Sequence, residues 1–123
     1  MAVVNKVDQK IKTDLGRTIE YQIITYCFFN DIQISTADLK TLAELAHYTD
    51  ISMTEFCELV TTIGIFKSAQ SARNAITKAA KKGLILKDGK NRKVIRLNHE
   101  MNVQTEAPVL LDYKILGIET EEL

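Results

Sequence analysis

Apolar residues recur at spacings of three and four in four segments of the chain, which is the spacing that gathers side chains on one face of an α-helix. The four predicted helices lie in residues 14–30, 35–48, 52–63 and 68–82. Ser35, Ser52 and Ser68 stand at the starts of the last three, where a serine hydroxyl can accept a hydrogen bond from a free helix amide. Gly64 and Gly83 follow the third and fourth helices, at the position typical of a left-handed C-terminal cap.

The first predicted helix, which Asp14 would cap, carries more apolar surface than one packed face requires. Its apolar residues are Leu15, Ile19, Ile23, Ile24, Tyr26, Cys27, Phe28 and Phe29. Such a helix is either the centre of the core or the site of an oligomer or partner contact, because large exposed apolar patches usually mark contacts. The sequence leaves both interpretations open.

The hydrophobic period changes after Gly83. Residues 84–87 and 94–97 are short runs rich in branched side chains, and the intervening residues 88–91 (Asp-Gly-Lys-Asn) are typical of a turn. This pattern predicts a β-hairpin. Ile32 and Ile34 alternate with polar residues, and we expect them to form a short strand that pairs with the hairpin.

The two ends of the chain have weaker patterns. Residues 1–13 predict a short helix or an arm, and residues 109–116 predict a strand or a short helix that adds to the fold or reaches a neighbouring subunit. The predicted organisation is therefore an N-terminal arm and helix with a possible role in oligomerisation (residues 1–34), a central domain (35–98) and a C-terminal extension (99–123).

Length and composition predict one globular domain. The chain has 123 residues, of which 46% are hydrophobic and 26% charged, as in an average soluble domain. No apolar run approaches the roughly 20 residues that a membrane helix needs, and no signal peptide is apparent, so we expect a cytoplasmic protein without a membrane partner, or one of the host cytoplasm or the particle if the source is a virus. Cys27 and Cys57 fit buried free thiols, although a disulfide is left open.

Residue patterns of known enzyme classes are absent from the sequence. It contains no phosphate-binding loop, nucleophile elbow or Cys-x-x-Cys motif. The two histidines, His47 and His99, are far apart, and nothing near either resembles metal-ligand spacing. The sequence therefore predicts a protein that is not an enzyme and has no metal or cofactor.

Charge is distributed very unevenly along the chain. Residues 67–96 contain ten Lys or Arg and one acid, a net charge of +9, whereas the protein as a whole has a net charge of zero. The remainder therefore carries −9. A basic patch on one side of a protein is the usual electrostatic signature of nucleic-acid binding.

The fourth helix concentrates this charge on one face. Ala69, Ala72, Ile76, Ala79 and Ala80 form its apolar stripe. The opposite face has no acid and consists of side chains that can meet base edges and phosphates. These are Gln70, Arg73, Asn74, Thr77, Lys78 and Lys81.

Residues 39–97 resemble the winged helix-turn-helix family, in which a basic recognition helix is followed at once by a basic hairpin, the wing. The most specific part is SARNAITKAAKKGLI (residues 71–85), which is similar to the junction between recognition helix and wing. One departure is Ala79, where the family usually has leucine, which implies closer helix packing or a thinner core. The resemblance implies a mainly α fold with a small β-hairpin wing, extended here by an N-terminal helix and a C-terminal segment.

The resemblance also implies how duplex DNA would be bound. The fourth helix would enter the major groove, where Arg73, Asn74 and Lys78, with Gln70 and Thr77, would reach bases. Phosphates would be held by five further residues, three of them from the wing: Lys81, Lys82, Lys90, Arg92 and Lys93. Such a protein would be a transcriptional regulator or a replication-associated protein.

A second function class uses the same features differently. The chain could be a structural or assembly protein, such as a virus particle component or an adaptor, in which the winged fold makes protein contacts. The +9 segment would then meet the −9 remainder of a neighbouring copy, giving rings or stacks. Under either hypothesis we expect a homo-oligomer or a larger assembly.

Overall fold

The computed structural model describes residues 3–12, 15–89, 93–106 and 110–118. Within them the chain forms four α-helices and a small antiparallel three-stranded sheet, with a separate two-stranded antiparallel sheet. This architecture is compatible with a mainly α fold that carries a β-hairpin. In chain order the elements are β1 (Val3–Lys12), α1 (Leu15–Phe29), α2 (Thr36–Leu45), β2 (Ile51–Ser52), α3 (Met53–Thr62), α4 (Ala69–Lys81), β3 (Ile85–Asp88), β4 (Val94–Leu97) and β5 (Leu110–Ile118), with one turn of 3₁₀ helix at His99–Met101.

Serine side chains begin the helices as predicted. The Ser35 hydroxyl accepts a hydrogen bond from the Asp38 amide at 3.1 Å, and the Asp38 carboxylate accepts one from the Ser35 amide at 3.2 Å. This reciprocal pair is a capping box, which satisfies two amides that a helix start would otherwise leave free. Ser52 and Ser68 cap α3 and α4 through the same hydroxyl bond. The predicted cap of the first helix, Asp14, lies outside the described residues.

Glycines end α3 and α4, also as predicted. Gly64 and Gly83 have φ angles of +90° and +79°, a left-handed conformation that costs glycine little. After α4 the Leu84 amide donates to the Ala79 carbonyl at 3.0 Å and so closes a Schellman motif. The chain is thereby turned from α4 directly into the hairpin.

The first helix ends in the same motif without a glycine, and this corrects one prediction. Asp31 adopts a φ of +54°, and the Ile32 amide donates to the Cys27 carbonyl at 2.8 Å. Because the helix end uses this amide, it is not free for a sheet, and the predicted strand at residues 32–34 is wrong. The third strand is instead β2, in which Ile51 lies opposite Ile95 of β4.

Replacing Gly83 with alanine should lower the free energy of unfolding by about 1 to 2 kcal/mol, the cost of a left-handed backbone for an L-residue. A Cβ atom built at Gly83 meets no heavy atom within 4 Å, so the loss would come from the backbone alone. Urea denaturation of wild type, Gly83→Ala and Gly83→Asn would measure it, and Asn should lose less because its side chain tolerates this region. Equal stability of all three proteins would contradict the role assigned to this cap.

The predicted β-hairpin is confirmed. Strands β3 and β4 pair antiparallel from Ile85 opposite Leu97 to Asp88 opposite Val94, so the first strand begins one residue later than predicted. The Asn98 side chain donates to the Gly83 carbonyl at 2.7 Å, and this bond ties the end of the hairpin to the end of α4.

The core is built from all four helices and the three-stranded sheet. Its largest fully buried side chains include Phe56, Ile23, Leu42, Leu45, Ile76, Leu84, Ile85 and Ile95. Cys27 and Cys57 are buried free thiols, as expected, and burial raises the pKa of both. No described helix has the length and apolar character to cross a membrane.

Part of the apolar surface of α1 is buried and part is exposed. Ile19, Ile23 and Cys27 lie in the core, whereas Phe28 and Phe29 are 76% and 78% exposed. The helix is therefore a core element that also presents an uncovered apolar end. The core interpretation is therefore confirmed for most of the helix, and the contact interpretation stays a prediction for its exposed end.

The ends of the chain pair with each other in a two-stranded ribbon of β1 and β5. The register places Asp8 opposite Lys114, Lys10 opposite Asp112, and Val7 opposite Ile115. One of the two alternatives for residues 1–13, a short helix, is therefore wrong over β1. Residues 3–12 form a strand instead, because they pair with β5. Of the two alternatives for residues 109–116, the strand is the one formed over the described part.

Candidate nucleic-acid interface

An open groove of about 840 Å³ lies where α4, the N-terminal end of α3 and the hairpin meet. Its described lining contains four cationic side chains, Arg73, Lys81, Lys87 and Lys93, and no acid. The first two come from α4 and the others from the hairpin, so two parts of the basic segment face one space. The uncharged lining residues are Ser52, Met53, Thr54, Thr77 and Ala80.

The α4 wall follows from the two faces of that helix. Ala72, Ile76 and Ala79 are buried, which fixes the rotation of the helix against the core and leaves Arg73 and Lys81 on the groove side. Ala79, where the resembling family usually has leucine, is 7% exposed and lies within the core.

A backbone hydrogen bond joins the hairpin to the N-terminal end of α3. The Met53 amide donates to the Lys93 carbonyl at 2.8 Å, and Ser52 lies opposite Val94 in the sheet. Lys93 is thereby held at the end of α3 that carries the positive pole of the helix dipole. The groove therefore brings side-chain cations next to the start of α3, where the Met53 and Glu55 amides are already used by the Lys93 carbonyl and the Ser52 hydroxyl.

Sequence reasoning does not single out Lys87, although strand alternation could have found it. Ile85 is buried, and successive side chains of a strand point to opposite faces. Lys87, two residues later, lies on the same face of the sheet as Ile85, toward α4. The sequence also does not identify the groove residues at the start of α3, which are Ser52, Met53 and Thr54. Ser52 is recognisable there only as a helix cap.

The predicted base-contacting residues lie along one side of α4. Arg73 and Thr77 line the groove, while Gln70 and Asn74 are exposed next to them on the same helix. The Gln70 amide donates to the Asn74 side-chain oxygen at 3.0 Å. Lys78 is exposed but does not line the groove. The structure thus places two of the five in the groove and leaves Gln70, Asn74 and Lys78 on the exposed surface outside it.

The predicted phosphate contacts are divided. Lys81 and Lys93 line the groove, whereas the ammonium of Lys82 donates to the Gln33 carbonyl at 2.6 Å, beside the loop that follows α1. Lys81, the last residue of α4, and Lys82, its C-cap, therefore face different parts of the molecule. Lys90 and Arg92 lie outside the described residues.

Arg96 contributes to the charge of the basic segment but is engaged by acids. Its guanidinium bonds Asp88 at 2.9 Å and Asp50 at 3.2 Å. The Gly89 amide and the Arg96 guanidinium lower the pKa of Asp88. Asp88 is thus ionised throughout the neutral range and neutralises Arg96 rather than any cation of the groove.

A second, less polar groove of about 490 Å³ lies between α1 and α2. Ile24, Phe28, Ile32 and Leu39 supply apolar lining, and Phe28 is largely exposed. This surface is a candidate for protein contact, since its lining offers little to an anion.

The side chains that line the cationic groove suit the binding of an anion. Across the described ranges, no group of three or more His, Cys, Asp or Glu residues could hold a metal ion. The cationic groove can bind a polyanion through its lysines and arginine, with hydrogen-bonding side chains alongside. Comparisons of the chain with protein-family models, curated proteins and solved structures find no match to any of them.

Proposed function

We propose that this protein binds duplex DNA, with α4 in the major groove and the β3–β4 hairpin against the adjoining backbone. The observation that carries the proposal is the meeting of Arg73 and Lys81 from the helix with Lys87 and Lys93 from the hairpin around one groove. Cations from two separate elements can hold phosphates on both sides of an inserted helix. The proposed fold type is a winged helix-turn-helix domain.

The dimensions of α4 suit this placement. It has 13 residues, a length of roughly 20 Å at 1.5 Å per residue, and the major groove of B-DNA admits one α-helix. Gln70, Arg73 and Asn74 are exposed along its length. Arginine pairs best with guanine, and the amides with adenine, so these residues would supply the sequence preference.

Salt dependence of binding tests the proposal directly. Three phosphate contacts, one for each groove lysine (Lys81, Lys87 and Lys93), predict a slope of about −2.7 in log K against log salt concentration. Fluorescence anisotropy of a labelled random-sequence duplex at several salt concentrations would measure it. Absence of binding at low salt would overturn the proposal.

Lys81 and Lys82 provide a matched pair of variants. Lys81→Ala should weaken binding about eightfold at 0.1 M salt and flatten the slope by about 0.9, because Lys81 lines the groove. Lys82→Ala should leave both quantities unchanged, since its ammonium is held at Gln33. The same anisotropy titration measures both, and equal losses from the two substitutions would contradict the proposed interface.

A second candidate function is that of an assembly protein, and the uncovered apolar end of α1 favours it. Phe28 and Phe29 are more than three-quarters exposed and beside a groove, and exposed apolar surface of this kind often marks protein contacts. Under this function Phe28→Ala would change the sedimentation of the protein alone. Under the DNA-binding function it would change neither the slope nor the affinity for DNA.

A further inference from the structure

The β1–β5 ribbon is incomplete as a sheet. Among the described residues, no third strand pairs with either β1 or β5, so each strand has one hydrogen-bonded edge and one open edge. A two-stranded ribbon alone is marginally stable in water, and an open edge is a template for another strand. Leu110 and Ile115 are each 58% exposed, and Leu116 43%. Because Ile115 alternates with the other two, the ribbon exposes apolar side chains on both faces.

The sequence of β1 is complementary to itself in the antiparallel direction. Centred on Val7, the segment Asn-Lys-Val-Asp-Gln (residues 5–9) places Lys6 opposite Asp8 of a second copy and Asn5 opposite Gln9. Opposite charges at directly facing positions stabilise a strand pair, and like charges destabilise it. Because the pair is symmetric, the Lys6–Asp8 pairing occurs twice.

The same charges disfavour the two neighbouring symmetric registers. In an antiparallel pair, residues that face each other project from the same side of the sheet. In a symmetric pair of identical strands, one residue must therefore face its own copy across the two-fold axis. Centring the pair on Lys6 sets Lys6 against Lys6, and centring it on Asp8 sets Asp8 against Asp8 and Lys6 against Lys10. Only the register centred on Val7 avoids like charges among these three.

The intramolecular register extends this pattern. Lys114 lies opposite Asp8 within the ribbon, so pairing two β1 strands would produce a row of alternating charge, Lys114–Asp8–Lys6, across the sheet. Ile115 lies opposite Val7, so the central row would be Ile115–Val7–Val7–Ile115. The exposed Ile115 of each copy would join one apolar row.

We propose that two copies of this protein pair through the open edges of β1, antiparallel and centred on Val7, to form a four-stranded sheet in the order β5–β1–β1–β5. The contact is isologous, so two copies use up both β1 edges and no third copy can join through β1. This inference does not depend on the proposed DNA binding.

Cysteine cross-linking of the full chain tests the register. In Val7→Cys the new residue would face itself, at a Cα separation of about 4.5–5.5 Å, which a disulfide can span. Mild oxidation should convert most of this variant to a covalent dimer on a non-reducing gel. The wild type should stay monomeric on that gel, because Cys27 and Cys57 are buried.

Asn5→Cys and Gln9→Cys identify the register further. Each alone should remain uncrosslinked, whereas an equimolar mixture should form a dimer with one copy of each, detectable by mass spectrometry. Tyr113→Cys reports on the alternative edge, β5. Cross-linking of Tyr113→Cys but not Val7→Cys, or of Asn5→Cys alone, would overturn the proposal.

A double variant shows whether the β1–β5 ribbon itself forms. Gln9 lies opposite Tyr113 within the ribbon, so Gln9→Cys with Tyr113→Cys in one chain should form an intramolecular disulfide. If it forms and Val7→Cys stays monomeric, the ribbon exists without the proposed pairing. If it does not form, the ribbon that the proposal requires is absent, and the proposal fails.

Discussion

Replacing Lys81, Lys87 and Lys93 together with alanine should lower the affinity for duplex DNA about 500-fold at 0.1 M salt. The three side chains line one groove but come from α4 and from both sides of the hairpin. Each phosphate contact contributes about 0.9 to the salt slope, so the slope should flatten by about 2.7 units. Anisotropy titrations at several salt concentrations would measure both quantities, and circular dichroism would show that the variant is folded.

A triple variant of equal charge is the control. Arg17, Lys40 and Lys82 do not line the groove, and their replacement with alanine lowers the net charge by the same amount. If DNA responds only to the total charge of the protein, both triple variants lose the same affinity, and the groove has no special role. A loss confined to the groove variant supports the proposed interface, because phosphate attraction falls steeply with distance in salt.

Phe56→Ala should lower the free energy of unfolding by about 3–5 kcal/mol, as expected for deleting a buried aromatic ring. Phe56 has no exposed surface and lies in α3, with the Tyr48 ring edge-on at a centroid separation of 6.4 Å. Its removal would leave a cavity beneath the helix whose N-terminal end borders the groove. Because whole domains are stable by only about 5–15 kcal/mol, urea denaturation should show a large fall in the midpoint.

Phe28→Ala is the matched control, since the same atoms are deleted from a side chain that is 76% exposed. It should change the free energy of unfolding by no more than about 0.5 kcal/mol. Equal losses for the two variants would mean that the packing around Phe56 is not as described. Phe56→Leu should lie between them, because leucine fills much of the same volume.

Local signals were sufficient to predict the helices and the hairpin. Apolar spacing, the serine caps of α2, α3 and α4 and the glycines after α3 and α4 act over a few residues, so they are visible in the sequence. The end of α1 was predicted to within one residue, but the turn after it was not, because Asp31 adopts the left-handed conformation usually taken by glycine. Its turn uses the Ile32 amide, and the predicted strand there does not form for that reason.

Long-range pairing could not be predicted in the same way. The strand β1 alternates only weakly and acquires its conformation from β5, about a hundred positions later in the chain. Nothing local identifies that partner. The selection of Ile51 rather than Ile32 for the third strand is also a tertiary choice, decided by the position of α3 beside the hairpin.

The charge of the candidate site could be predicted from the sequence, but the orientation of its individual side chains could not. The sequence predicts a basic face on α4 and a basic hairpin, and the structure brings Arg73 and Lys81 together with Lys93. It cannot predict that Lys82 reaches Gln33 while its neighbour does not, because a flexible side chain at a helix end can turn either way. Lys87 required the strand register, which places it on the face toward α4.

The double ion pair of Arg96 affects what a salt titration of DNA binding would measure. Arg96 clamps the end of β3, through Asp88, to the loop before β2, through Asp50. These pairs are exposed, so the same added salt that screens phosphate attraction also weakens the clamp. The end of β3, next to Lys87, would then be held by its pairing with β4 alone, while Lys87 and Lys93 lose part of their attraction for phosphate. A measured slope steeper than the groove lysines predict would therefore contain this loosening of the hairpin in addition to any phosphate contacts made by Lys90 and Arg92.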